Sequence, residues 1–237
     1  MTRCAALCIV LAYVLPRAGL GQELIGGWEG DASRGYAFGS PIFSIGLGGH
    51  SALVLRGTGS YLYYRFRDAT GSTDVTSPGA GAALSYRVRA GRLSTTLAAG
   101  YEVRWTTRRP SVGPLLRVTE RGITAQGELF FQATSLTNLN AIVSYGDANH
   151  YVWARGGVKR QLTNTRFQGP VALAVGLEGT AQGNHDARAY QGGGLVTFEL
   201  LRAHASLQTR AGYTWLQYPD RSVESRPYFG VGFYRAF

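Results

Sequence analysis

Thirteen ionisable residues recur on one face of alternating stretches: Glu29, Asp31, Arg56, Arg87, Arg89, Glu102, Arg104, Glu128, Arg155, Lys159, Glu178, Glu199 and Arg210. Six are acids and seven are bases, so their natural chemistry is pairing: opposite charges drawn out of bulk water stabilise one another only as hydrogen-bonded ion pairs. Glu29, Arg56, Glu102, Arg104, Glu128, Arg155, Glu178 and Arg210 make the candidate charge network. One reading is structural, a network that fills an interior. The other is an arginine-lined passage with a weak preference for anions or sugars, in which Tyr64, Tyr151, Trp153 and Tyr228 would stack on sugar rings.

Catalytic chemistry has less to stand on. Of the four histidines, His50, His150, His185 and His204, only His185 has an acid beside it, Asp186 in GNHDARAY. Neighbours on a strand point to opposite faces, so this is no dyad. No serine sits in a nucleophile elbow and no HExxH spacing occurs, which leaves no catalytic residue, metal site or cofactor to assign. Both cysteines, Cys4 and Cys8, lie in the first ten residues.

Those residues belong to MTRCAALCIVLAYVLPRAGLG: basic Arg3, an apolar run from Cys4 to Leu15, a break at Pro16, and small Gly19 and Gly21. The pattern predicts a cleaved secretory signal over residues 1–21. About twelve apolar residues are too few for a helical membrane span. A lipoprotein signal ending at Cys8 would have almost no apolar segment before it. The remaining chain, 22–237, then has no cysteine, hence no disulfide or thiolate site. It carries 22 basic and 14 acidic residues, a formal charge of +8. Such a surface suits lipopolysaccharide phosphates or acidic polysaccharide, and the scattering of single arginines does not suit nucleic acid.

The elements that must position the charges are strands. Glycine is too frequent, at 33 residues, for long helices, and period-two alternation runs almost throughout. Leu93, Leu97, Ala99, Tyr101, Val103 and Trp105 oppose Ser94, Thr96, Gly100, Glu102, Arg104 and Thr106. From Ala203 to Trp215 the same split recurs, with Arg210 on the polar face. One face suits lipid and the other water. Twelve such segments follow: 23–31, 35–47, 51–67, 77–90, 92–106, 120–133, 137–147, 150–162, 170–182, 188–200, 203–217 and 226–237. They are long enough to cross a bilayer as tilted strands. An even count puts both termini on one side, expected to be periplasmic, with mostly tight turns there (48–50, 90–92, 135–137, 201–202) and mostly longer loops outside (68–76, 107–119); the short outer turn at 147–149 and the longer inner connection at 163–169 break the pattern. Tyr36 and Phe38 fall out of phase with Phe43, Ile45 and Leu47, the weakest point of the count. A secreted β-sandwich is the rival architecture, but faces rich in Ala, Gly, Tyr and Trp and thin in Ile and Leu favour lipid contact.

The chain ends PYFGVGFYRAF, with Phe229, Val231, Phe233 and the terminal Phe237 on one strand face. This resembles bacterial outer-membrane β-barrels, in which the last strand closes on the first and the terminal Phe is read by the insertion machinery. The resemblance implies an all-β, antiparallel up-and-down transmembrane barrel at the cell outer membrane, with Phe233 and Phe237 as assembly signal. Its partners would be that machinery and outer-membrane lipid and lipopolysaccharide. ERGITAQGELFFQATSLTNLNAIVSYGDANHYVWARGGV at 120–158 and VGLEGTAQGNHDARAYQGGG at 175–194 resemble the cellulose-biosynthesis-associated Bcs S family. That resemblance implies an accessory or conduit role in exopolysaccharide production or export, with cellulose the candidate polymer and no catalytic residues to carry over. A passive narrow channel for small solutes and, behind it, a lipid-modifying enzyme are the alternatives.

Overall fold

The computed structural model describes residues 21–31, 33–68, 71–162, 171–183, 188–217 and 223–237. Alternation of apolar and polar side chains makes each run a strand with two unlike faces. Twelve strands form: β1 Gly21–Gly30, β2 Arg34–Gly48, β3 Ser51–Asp68, β4 Gly71–Ala90, β5 Leu93–Pro110, β6 Leu116–Gln132, β7 Thr137–Gly146, β8 Tyr151–Gln161, β9 Val171–Gly183, β10 Arg188–Leu200, β11 Ala205–Gln217 and β12 Val223–Ala236. Each pairs antiparallel with its sequence neighbours, and β12 closes on β1, from Glu23 opposite Ala236 to Gly30 opposite Phe229. Closure leaves no strand edge for hydrocarbon to strand unpaired. Of the expected leader, 1–20 lies outside the described residues; β1 begins at Gly21.

The register fixes the barrel's shape. Partners followed once round the wall lead from Arg117 through Thr107, Thr76, Tyr63, Gly35, Gly30, Phe229, Ala211, Gly194, Leu177, Val158 and Leu139 to Phe131, a stagger of 14 residues on β6. With twelve strands that stagger tilts them by about 40° and sets a backbone radius of about 12 Å.

The exterior is what water would not tolerate: Leu97, Ile123 and Leu177 are 65%, 63% and 67% exposed, so lipid is their partner. Tyr61, Tyr101, Trp105, Tyr190, Tyr213 and Trp215 face outward toward the ends of their strands remote from the termini. Tyr86, Phe131, Phe198, Phe233 and Phe237 face outward toward the termini's end. These are two interfacial girdles. The even count brings both termini to one rim.

Two expectations are corrected. Residues 71–76 and 107–110, expected in loops, are strand: β3 to β6 run 17 to 20 residues while β7 to β11 run 10 to 13. The loop expected over 107–119 shrinks to 111–115. Cross-strand partners continue the ladder beyond the lipid, with Arg65 Nε donating to Asp74 at 2.5 Å; that bond holds the Asp74 carboxyl below its usual range. One wall of the barrel is therefore tall and the other low. A strand expected from 203 begins instead at Ala205, because 201–203 form a 3-10 turn closed by left-handed His204. The out-of-phase aromatics on β2 need no break in the strand: Tyr36 and Phe38 share the inward face with Ser40 and Ile42, and Phe43, Ile45 and Leu47 the outward one.

Glycine matters most where β10 and β11 approach. A Cβ on Gly212 would overlap the Gly192 carbonyl oxygen, and one on Gly193 would meet the Tyr228 hydroxyl at 2.6 Å. Gly212→Val is expected to cost about 1 to 3 kcal/mol through overpacking. Heat-modifiable migration of the detergent-extracted protein measures the loss, and an unchanged melting midpoint would refute the close approach.

Candidate functional site

The inward face of the strands carries the charges, and at mid-height they meet. Glu29 on β1 accepts hydrogen bonds from two guanidinium groups, Arg155 on β8 at 2.6 Å and Arg210 on β11 at 3.1 Å. Arg210 Nε also lies 3.6 Å from Glu178 on β9, and Glu178 accepts from the Tyr228 hydroxyl on β12 at 3.3 Å. Arg155 further donates to Thr180 at 3.1 Å and packs 5.0 Å over the Trp153 ring. A second pair, Arg56 on β3 with Glu128 on β6 at 2.8 Å, is braced by Gln126.

These pairs skip over neighbouring strands. Four strands separate Arg155 from Glu29, two separate Arg56 from Glu128, and one separates Arg210 from each of its carboxylates. Strand neighbours on one inner face point side by side toward the axis. Arginine is long enough to reach past them, so the bonds run across the bore rather than along the wall. Arg104 is the exception, pairing with Glu102 two residues away on β5 at 3.3 Å.

The result is a waist crossed by side chains. The Glu178 side chain is 4% exposed and those of Arg210, Arg155 and Glu29 are 14%, 15% and 17% exposed. Groups lining a water-filled bore of this radius would be wet. Beside them Tyr228 and Thr214 are buried.

All eight network residues thus face inward, but they form three groups: Glu29 with Arg155, Arg210 and Glu178; Arg56 with Glu128; and Glu102 with Arg104. Lys159 joins Glu199 at 3.2 Å, Arg87 joins Glu23 at 3.4 Å, and Asp31 joins Arg34 at 2.8 Å. Burial pushes the Asp31 carboxyl up, but hydrogen bonds from the Ser33 backbone and hydroxyl and the charge of Arg34 bring it below its usual range. Glu23, Arg34 and the pair Arg226–Glu224 were missed as site residues, although period-two alternation puts them on the inward face. Arg89 stands at the mouth near the termini, where a cavity of about 450 Å³ opens between Phe130, Lys159, Glu199, His204 and Tyr234.

Among the described residues the histidines sit in turns, and His150 Nδ1 lies 3.2 Å from the Tyr145 hydroxyl and 3.7 Å from Asp147. His150 and His204 adopt left-handed backbone that ends two 3-10 turns, and His50 accepts a backbone bond from Arg89 in the β2–β3 turn. His185 lies outside the described residues. Among the described residues no three His, Cys, Asp or Glu side chains gather as a metal site. Tyr64, Tyr151, Trp153 and Tyr228 all share the inward face; the Tyr151 hydroxyl donates to Gln182 at 2.8 Å.

A closed twelve-stranded barrel with a lipid-facing exterior, two aromatic girdles and a charged interior is an outer-membrane β-barrel. Residues 26–237 match the family described as cellulose biosynthesis protein BcsS, and the chain belongs to that family. Solved structures that share its fold include two with TM-scores above 0.5. The β domain of the Bordetella autotransporter BrkA is 15% identical with a TM-score of 0.54, covering 93% of this chain and 100% of that one. LpxR from Salmonella typhimurium is 12% identical with a TM-score of 0.54, covering 91% and 100%. No curated protein matches the chain in sequence.

Proposed function

We propose that this barrel is a non-catalytic accessory component of cellulose production at the outer membrane, set with its termini toward the periplasm and its tall wall outside. It is not an open conduit for polymer. The observation that carries the reading is the Arg155–Glu29 bond across the bore at 2.6 Å, beside Glu178, whose side chain is 4% exposed. Membership of the BcsS family supports the polymer, and the extension of β3 to β6 beyond the other strands at the rim remote from the termini supports the orientation. Fold alone would not choose between scaffold, channel and enzyme, since barrels of one size serve all three.

The test joins planar-bilayer conductance of the purified protein to cellulose output of a deletion strain. The expected result is little wild-type conductance, lost or diminished cellulose on deletion, and measurable conductance once Arg155→Ala and Arg210→Ala open the waist. Large steady wild-type conductance with unchanged cellulose would replace the accessory role with a narrow solute channel.

A further inference from the structure

Above the waist, on the side remote from the termini, the inner wall changes character. Tyr36 and Phe38 on β2 stack with ring centroids 5.9 Å apart and planes 21° apart, and Tyr64 and Phe66 on β3 stack at 6.2 Å and 30°. The register joins the two pairs: Tyr64 stands opposite Arg34, and Tyr36 opposite Leu62. Phe66, Tyr64, Tyr36 and Phe38 therefore form one line of rings, about 20 Å long by strand rise and diagonal spacing, running down the inside of the tall wall. Tyr36 is 37% exposed although it points inward, so part of its ring is bared to the lumen.

We propose that this line is a docking track for a neutral, extended glucan, whose pyranose rings stack on the aromatic side chains. The proposal rests on the cellulose reading above and adds a site to it. A pyranose presents C–H bonds on its two faces and hydroxyls round its edge, so it needs flat apolar surfaces flanked by hydrogen-bonding groups. The track supplies both. The guanidinium groups of Arg34 and Arg104, whose side chains are partly exposed on the inward face, are donors beside the rings, and sugar hydroxyls accept such bonds. Neutrality follows from the charges beside the track: Arg34 is paired with Asp31, Arg104 with Glu102 and Arg226 with Glu224, and the inward Arg108 and Glu120 are of opposite sign, so the region carries no net charge to draw an anionic chain. Phe66 and Tyr64 lie on the part of β3 near its outer end, where the tall wall extends past the lipid. A chain arriving from outside would meet them first and be stopped by the Glu29–Arg155 layer.

The experiment titrates cellohexaose into the detergent-purified full chain by calorimetry. Saturable binding is expected, weakened about tenfold or more by Tyr64→Ala with Phe66→Ala, the loss of two stacking faces. Tyr64→Phe should keep wild-type affinity because the ring remains. Heat-modifiable migration of each variant confirms folding, and Tyr36→Ala gives a second disruption if the first fails to fold. Absence of cellohexaose binding, or binding indifferent to all these changes, would overturn the track. Equal affinity for a polyanionic hexasaccharide would overturn its neutrality. A deletion strain that loses cellulose while the purified protein binds no cellohexaose would sink this inference and leave the accessory role standing.

Discussion

Glu29→Ala is expected to produce the largest loss of stability of any single change in the lumen, about 3 kcal/mol. Glu29 is the shared acceptor of two guanidinium groups from two other strands, β8 and β11, at 2.6 and 3.1 Å. Removing one partner of a buried pair costs about 3 to 5 kcal/mol because the remaining charge is left without compensation. The lower end applies here: Arg210 keeps Glu178 at 3.6 Å, and Arg155 keeps the Thr180 hydroxyl and the Trp153 face. The measurement is the temperature at which the compact electrophoretic form of the detergent-solubilised barrel is lost. A double-mutant cycle with Arg155→Ala should recover part of the loss, since the orphaned cation disappears with its partner. Glu128→Ala, which orphans only Arg56, should cost less. An unchanged midpoint in Glu29→Ala would mean that water already fills the waist and that the pairs are screened.

The same layer marks where sequence reasoning reached and where it stopped. Period-two alternation assigns a face to every residue, so Glu29, Arg155, Glu178 and Arg210 are legible as inward and Leu97 and Leu177 as outward without coordinates. The partner of each charge is not legible. Pairing depends on the stagger of 14 residues and on the width of the bore, and neither is written in any single strand. A guanidinium on β8 reaches β1 only because the closed wall bends the two toward each other. The tall wall escaped for a different reason. Residues 71–76 and 107–110 lack the apolar outward side chains that mark a lipid-crossing strand, so they read as loop. Once past the lipid, an outward face needs only to be polar, and Arg65 opposite Asp74 suits a strand in water. Tyr36 and Phe38 misled in the opposite sense, since aromatic residues usually signal the lipid face of such a barrel. Their inward placement is what directs attention to the lumen above the waist.

Deletion of Phe237 is expected to lower the amount of assembled barrel severalfold while barely changing the stability of whatever assembles. The ring lies on the outward face, 56% exposed, with the Arg235 guanidinium 4.7 Å over it. The Phe237 backbone N–H donates to the Gln22 carbonyl at 2.9 Å, extending the β12–β1 seam by one bond. Burying a whole Phe side chain is worth about 1.5 to 3 kcal/mol, and a half-exposed ring at the membrane edge contributes less. The seam keeps its pairs from Glu23–Ala236 to Gly30–Phe229 without it. A large loss of membrane-inserted protein would therefore reflect recognition during insertion, not the energy of the finished fold. Two measurements separate these: outer-membrane abundance in cells, and the melting midpoint of the same variant refolded from denaturant into detergent. Abundance should fall in Phe237→Ser and in the deletion, and persist in Phe237→Trp, which keeps an aromatic terminus. The midpoint should shift by only a few degrees in all three. A matching fall in both would make Phe237 a structural residue of the seam, and normal abundance of Phe237→Ser would remove its role in assembly.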